Sequence, residues 1–118
     1  IIPFSLSGAI WYQGESDASA EEGEVYADEL RALIEIWRHD FCDEELPFVI
    51  VQIADYVFID DRPGWSIIQK AQAEVGEKTS FASTVICRDV CETDMIHPLS
   101  KYVLAERVAK ALIKLVKR

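Results

Sequence analysis

Positive charge is the first scarcity: 12 lysines and arginines stand against 21 aspartates and glutamates, a formal net charge of −9 over 118 residues. That balance argues against nucleic acid and anionic membrane surfaces as partners. No stretch of about 18 apolar residues occurs, so no transmembrane helix is predicted. Cysteine is sparse and odd in number, with Cys42, Cys87 and Cys91. An odd count in a chain of this size is not a disulfide framework. Cys87 and Cys91 could pair, but the pattern favours neutral buried thiols. His39 and His97 are the only histidines, with no paired spacing, so no zinc site is expected. The opening Ile1-Ile2-Pro3 has neither an initiator Met nor a basic region. It does not read as a signal peptide, and it leads us to expect a fragment of a longer polypeptide.

Half of the residues are hydrophobic, enough for a packed core in one domain over 1–118. There are no internal repeats and no low-complexity segments. "GAIWYQ" (8–13) reads as a buried strand. Ser19-x-x-Glu22 fits a capping box at a helix start. The helix should run to about residue 41, with Tyr26, Leu30, Leu33, Ile34, Trp37 and Phe41 stepping by three and four. Its acidic start and its Arg38-His39 end suit the helix dipole. "LPFVIVQIA" (46–54) has the continuous apolar character of a strand covered on both faces. The loop "DYVFIDDRPG" ends in a Pro-Gly turn signal. A second helix is expected over about 64–76, with Trp65, Ile68, Ala71 (or Gln72) and Val75 inward. "FASTVICRD" (81–89) is the third strand. A last helix over about 99–117 turns Leu104, Val108, Ala111, Leu112 and Leu115 inward and ends in Lys114, Lys117 and Arg118. The pattern is β-α-β-α-β-α, which implies parallel strands joined by right-handed crossovers. Three strands make a small sheet, so at least one edge is expected to lie open.

Ligands of open α/β sheets sit beyond the carboxyl ends of the strands. Three loops reach that edge, carrying Gln13, Glu15, Ser16, Asp17, Asp55, Asp60, Asp61, Asp89, Glu92, Asp94 and His97. In "DMIHP", Asp94 could hold one ring nitrogen of His97 and leave the other free as a base. Alternatively, Asp94 caps the last helix and His97 is a surface residue. Ser16 is either a nucleophile in a strand-to-helix turn or a turn residue bonding nearby backbone. Gln13 and the Gly14 N–H could stabilise an oxyanion, or could merely satisfy the turn. The tryptophans Trp11, Trp37 and Trp65 read as core before they read as a sugar-stacking platform. Asp60-Asp61-Arg62 reads as a solvated loop before it reads as a divalent-cation site.

"GAIWYQGESDA", a helix ending "WRHDF", "LPFVIVQIADY", "W…AQ" and "DMIHP", in that order, resemble the C-terminal part of the sialate O-acetylesterase and acetylxylan esterase group of SGNH-type hydrolases. The resemblance covers nearly the whole chain. It implies a three-layer α/β/α flavodoxin-like fold, here reduced to about three β-α units. It also implies a serine esterase that removes acetyl groups from sialic acid or other sugars without a cofactor. His97 matches the family's general base and Asp94 its partner. Gln13 and Gly14 match the oxyanion block, to which Glu15 also belongs. The family's nucleophilic serine lies in a separate Gly-x-Ser block following the first strand, and none precedes Gly8 here. Residues 1–118 are therefore expected to be the C-terminal part of a single hydrolase domain, inactive alone, with Ser16 as the alternative nucleophile. A second copy, or the missing N-terminal half, would cover the open edge. The competing reading is a carbohydrate-binding or structural remnant of the same fold. Relatives of this group are often exported, on a signal that would lie outside this chain.

Overall fold

The computed structural model describes residues 4–117. Ile1, Ile2 and Pro3, on which the reading of the N-terminus partly rests, lie outside the described residues, as does Arg118. The elements are strand β1 (Ala9–Trp11), a 3-10 turn (Glu15–Asp17), helix α1 (Ala20–Asp40), strand β2 (Phe48–Val51), helix α2 (Trp65–Lys78), strand β3 (Ala82–Val85) and helix α3 (Tyr102–Val116). The expected β-α-β-α-β-α order holds. The strands pair in parallel in the order β1-β2-β3, with Ala9 beside Phe48 and Phe48 beside Ala82.

Sequential order and right-handed crossovers put α1 and α2 on one face of the sheet. There Tyr26, Leu30 and Ile34 of α1 and Trp65, Ile68 and Val75 of α2 close over Phe48 and Ile50. Helix α3 covers the other face, where Leu104, Val108 and Leu115 meet Val49, Val51 and Val85. Every residue of β2 is therefore buried, which is why "FVIV" carries no polar alternation. The outcome is the three-layer α/β/α arrangement.

The strands are shorter than the apolar runs that mark them. The Gln52 N–H still bonds the Val85 carbonyl, and beyond it the chain leaves the ladder, because its next polar groups bond to side chains. The Ile53 N–H donates to Gln72 Oε1 at 2.8 Å, and the Gln69 amide donates to the Ile53 and Ala54 carbonyls at 3.1 and 3.3 Å. At the start of α1 the Ser19 hydroxyl accepts the Glu22 N–H at 3.2 Å and donates to the Glu22 carboxylate at 2.7 Å. At its end Cys42 takes a left-handed φ of 51°. The Cys42 N–H then bonds the His39 carbonyl and the Asp43 N–H the Arg38 carbonyl, the Schellman closure usually made by glycine. Arg38 is not an exposed dipole partner. It is buried, and its guanidinium donates to the carbonyls of Leu46 and Ser80.

Trp65 is buried and donates its indole N–H to the Ala54 carbonyl at 2.9 Å, while Trp11 and Trp37 pack partly buried against the same core. Strand β1 pairs only with β2 among the described residues. Its Ile10 is 55 % exposed. Grooves run along both sides of β1, one past Leu6, Trp37 and Phe41 and the other past Tyr12, Leu104 and Val108.

Helix α2 lies on β3 with no room for a side chain at Gly76. A Cβ there would stand 2.1 Å from Thr84 Oγ1 and 2.6 Å from the Thr84 main-chain nitrogen. Gly76→Ala must push the helix off the strand. Overpacking of this kind costs about 1–3 kcal/mol or more, and urea unfolding is expected to show at least that loss. An unchanged midpoint would mean that α2 and β3 do not pack as described.

Candidate functional site

The turn after β1 is shaped by Gly14. Its φ of 147° is closed to side-chain-bearing residues, and a Cβ would meet Ile68 at 2.9 Å, Gln72 at 3.1 Å and Ile53 at 3.3 Å. The next three residues form the 3-10 turn, which turns Ser16 outward and Glu15 inward. Gln72, fully buried, holds this turn from beneath. Its Nε2 donates to the Gln13 carbonyl at 2.8 Å and to the Tyr26 hydroxyl at 3.2 Å, while its Oε1 takes the Ile53 N–H. The Tyr26 hydroxyl donates in turn to the Gln13 carbonyl at 2.7 Å. Burial is the main reason the Tyr26 phenol is held above its usual pKa, so it serves as a neutral donor. From above, Arg62 donates to the Glu15 carbonyl at 2.5 Å.

Glu15 is the carboxylate that meets His97. Its side chain is 11 % exposed, and Oε1 lies 3.6 Å from Nδ1 of an imidazole that is 76 % exposed. That distance is longer than a hydrogen bond, and the contact is ionic only when the imidazole is protonated. Among the described residues His97 has no ion pair with Asp94, which is exposed. The expected pairing needed a helical turn under the i, i+3 spacing. Residues 92–101 are irregular instead, and α3 begins only at Tyr102. Nor does Asp94 cap that helix, whose N-cap is Lys101 with no side-chain bond.

Gln13 donates its amide to the Asp17 carboxylate. Ser16 is exposed. Tyr12 faces the α3 side, with Lys101 Nζ 3.1 Å from its hydroxyl. Asp55 pairs with Arg88 at 2.7 Å, and Asp89 makes a two-pronged pair with Arg107, each bond 2.6 Å. Asp61 comes no nearer to Arg62 than 3.9 Å, as a solvated loop would. Among the described residues no group of three or more His, Cys, Asp or Glu is arranged to hold a metal ion. A groove of about 390 Å³ opens beside Gln13 and Asp17, walled by Trp11, Tyr26, Leu30 and Leu33. A larger depression of about 780 Å³, between Val90 and the start of α3, contains none of the candidate residues. Titratable and donor groups converge beside the Gly14 turn.

The sequence reading missed the roles of Gln72, Gln69 and Arg62. Its one usable signal was two glutamines on the face of α2 that also carries Ile68, Ala71 and Val75. A polar side chain on a buried face must find partners.

Comparison with known proteins identifies the lineage. A family model described as carbohydrate esterase, sialic acid-specific acetylesterase, matches residues 3–114. The mouse sialate O-acetylesterase is 31% identical over 121 residues, covering 88% of this chain and 22% of that protein. A crystal structure of a carbohydrate acetylesterase from Xanthomonas citri superposes with a TM-score of 0.90 at 28% identity, covering 98% of this chain and 27% of that one. A protein of Arabidopsis thaliana gives a TM-score of 0.73 at 25% identity, over 93% of this chain and 45% of that one. The chain thus spans about a fifth of the length of the curated relative it matches.

The loop that carries His97 is closed at its neck. The Glu92 carboxylate accepts the Ser100 hydroxyl and the Ser100 N–H, the latter at 3.1 Å. The hydroxyl first, and main-chain donors after it, lower the pKa of Glu92 from 4.5 to about 2. A depressed carboxylate pKa contributes stability above the unfolded value and loses it as pH falls through the folded one. Amide exchange of residues 93–99, corrected for intrinsic rates, is therefore expected to speed up between pH 4.5 and about 2. In Glu92→Gln the step should vanish, the loop being loose at every pH. Asp89, lowered to about 2 chiefly by Arg107, titrates in the same window but ties residues 86–89, so the two segments are read separately. A step that survives Glu92→Gln unchanged would refute the role of the neck.

Proposed function

The chain belongs to the carbohydrate esterase family of sialic acid-specific acetylesterases, and on that premise we propose that it supplies the base and oxyanion side of a site that hydrolyses acetyl esters on sugars. The observation that carries the reading is the buried Glu15 carboxylate held against Nδ1 of His97, directly beside the Gly14 turn.

In this reading His97 takes the proton of an attacking serine hydroxyl at Nε2 as the oxygen adds to the acetyl carbonyl carbon. The carboxylate at Nδ1 fixes the ring and stabilises the imidazolium that forms. Negative charge then gathers on the former carbonyl oxygen. The reading assigns its stabilisation to the Gly14 N–H and to the N–H of Gln13 not given to Asp17. Collapse of the tetrahedral adduct expels the sugar oxygen, which leaves with the proton from His97. Water repeats the sequence to release acetate. A preformed donor set of this kind acts without reorganising, and the Gln72–Tyr26–Gln13 network supplies the rigidity.

Ser16 is not the nucleophile in this reading. It is exposed on the 3-10 turn, and no Gly-x-Ser block precedes Gly8. The 118-residue chain by itself is then inactive as an esterase. With purified chain and p-nitrophenyl acetate we expect no turnover beyond that of free imidazole, and no change in Ser16→Ala. Turnover abolished by Ser16→Ala would overturn the assignment. When the segment is joined to a Gly-x-Ser-bearing partner segment, His97→Ala should lower kcat/KM by about 10²–10⁴-fold. Comparing Glu15→Gln with Asp94→Asn there decides which carboxylate serves His97. The contact in the structure favours the larger loss for Glu15→Gln, and the family pattern favours Asp94. Absence of activity in the joined protein would favour a non-catalytic carbohydrate-binding module.

We also propose that the free edge of β1 is a packing surface, for the remainder of an acetylesterase fold or for a second copy. An unpaired edge flanked by apolar grooves is prone to association. The isolated chain is expected to show concentration-dependent dimer in sedimentation, and Ile10→Lys to shift it to monomer. A wild-type chain that stays monomeric at high concentration would refute the self-pairing.

A further inference from the structure

Two thiols stand next to the loop that carries His97, and the proposed chemistry uses neither. Cys87 follows β3, is fully buried, and donates its thiol to the Gln52 carbonyl at 3.3 Å. The chain then makes one closed turn, in which the Cys91 N–H bonds the Cys87 carbonyl at 3.1 Å. Residues four apart in such a turn lie one above the other, with Cβ atoms about 5–6 Å apart. Both thiols pack on the α3 side of the sheet, beside Tyr12. Cys91 also has a second task. Cys91 donates to the Ser100 carbonyl at 3.7 Å. It thereby grips the residue that Glu92 holds through its N–H and hydroxyl. Cys91 and Glu92 together close the neck of the loop that contains Asp94 and His97.

We propose that Cys87 and Cys91 are a redox couple that, on meeting an oxidised low-molecular-weight thiol such as glutathione disulfide, closes an intramolecular disulfide and frees Ser100 from Cys91. A disulfide needs its Cβ atoms about 3.5–4.5 Å apart, so bond formation draws Cys91 inward, away from Ser100. The steps balance. The partly exposed Cys91, as thiolate, attacks one sulfur of the glutathione disulfide. A Cys91–glutathione disulfide forms and one glutathione thiolate leaves. Cys87 then loses its proton and attacks the Cys91 sulfur, forming the internal S–S bond and expelling the second glutathione thiolate. Two protein thiols are oxidised, two electrons pass to glutathione disulfide, and two glutathiones are released.

The order follows from burial. Desolvation, and then the neighbouring Cys91, push the Cys87 thiol up to about 12. Cys87 is therefore a poor first nucleophile and serves as the resolving thiol. The reduced pair keeps two S–H···O=C contacts, to Gln52 and Ser100, that the disulfide loses. Stabilisation of the reduced form makes a disulfide labile and oxidising, the property of a switch rather than a staple. Cys42 is exposed beyond the far end of α1, which makes it an internal reference for an unpaired thiol.

The test uses the 118-residue chain, incubated with glutathione disulfide and then alkylated. The expected product is lighter by two hydrogens, with the Cys87 and Cys91 peptides linked and both thiols recovered by dithiothreitol. Cys87→Ser should halt at a stable glutathione adduct on Cys91, and Cys91→Ser should leave Cys87 unmodified. If Cys87→Ser fails to fold, Cys42→Ser keeps the measurement clean, because its only thiols are the proposed pair. Amide exchange of residues 92–100 should speed up in the oxidised form. Alkylation of both Cys87 and Cys91 after treatment, or glutathione held only on Cys42, would refute the couple. A linked product with unchanged exchange at 92–100 would refute the release of the loop. None of these readouts involves ester hydrolysis, so the couple stands or falls separately from the esterase reading.

Discussion

The buried amide of Gln72 ties three elements together at one point in the core. It sits on α2 but bonds the end of β1 through the Gln13 carbonyl, the end of β2 through the Ile53 N–H, and α1 through the Tyr26 hydroxyl. A primary amide can do this because it carries a two-lone-pair acceptor and two donors in one rigid plane. No hydrocarbon of the same size could take its place, since each main-chain group left unpaired in the core costs about 1–3 kcal/mol. The strands end where they do because side-chain amides take over from the ladder. Gln69 repeats the device one turn earlier, on the carbonyls of Ile53 and Ala54. Removing sheet hydrogen bonds from the carboxyl ends of β1 and β2 frees those segments to bend into loops, and the amides keep the loops from moving.

That rigidity gives Glu15 its position. The carboxylate is nearly buried, and a buried charge needs a partner. Gly14 makes the approach possible, because any side chain there would meet Ile68, Gln72 and Ile53. Arg62 fixes the Glu15 main chain from the opposite side. The partner, His97, comes from a loop with no regular structure, held by the Glu92–Ser100 clasp and the Cys91 contact. The Glu15–His97 contact thus joins two differently built supports. The turn after β1 belongs to the core, while the histidine loop has no regular structure and is anchored by the buried Pro98, by Ile96 on the core and by the Val57 N–H on the Thr93 carbonyl, besides its exposed clasp. Segments without regular structure lie at the low end of the range of local stability within a fold.

Much of this was legible in the residues. The Ser19–Glu22 cap, the Tyr26–Leu30–Ile34 face and the doubly covered "FVIV" strand follow from local rules of capping, period and burial. These act over a few residues and need no knowledge of the rest of the chain. The blocks "WYQGESD" and "DMIHP" pointed to the acetylesterase family and its three-layer fold, and the family match over residues 3–114 agrees. Less of the site could be read. The i, i+3 spacing of Asp94 and His97 suggested a pair, yet spacing predicts contact only on a regular helix, and that loop is irregular. Gln72 looked like a helix residue inward by period, with nothing to say whose main chain it would meet.

The sequence by itself determined which segments are strands and helices, which faces are apolar and which residue types stand at the carboxyl edge of the sheet. Local periodicity and turn chemistry encode those properties. Only the tertiary structure decided that Glu15 rather than Asp94 stands against the imidazole, and that one glutamine joins three elements. It also decided that Cys87 and Cys91 share a pocket with Tyr12 at the neck of the histidine loop. Those contacts join residues up to about 80 positions apart. They depend on how the parallel strands stack and how the crossovers return, which no local pattern records.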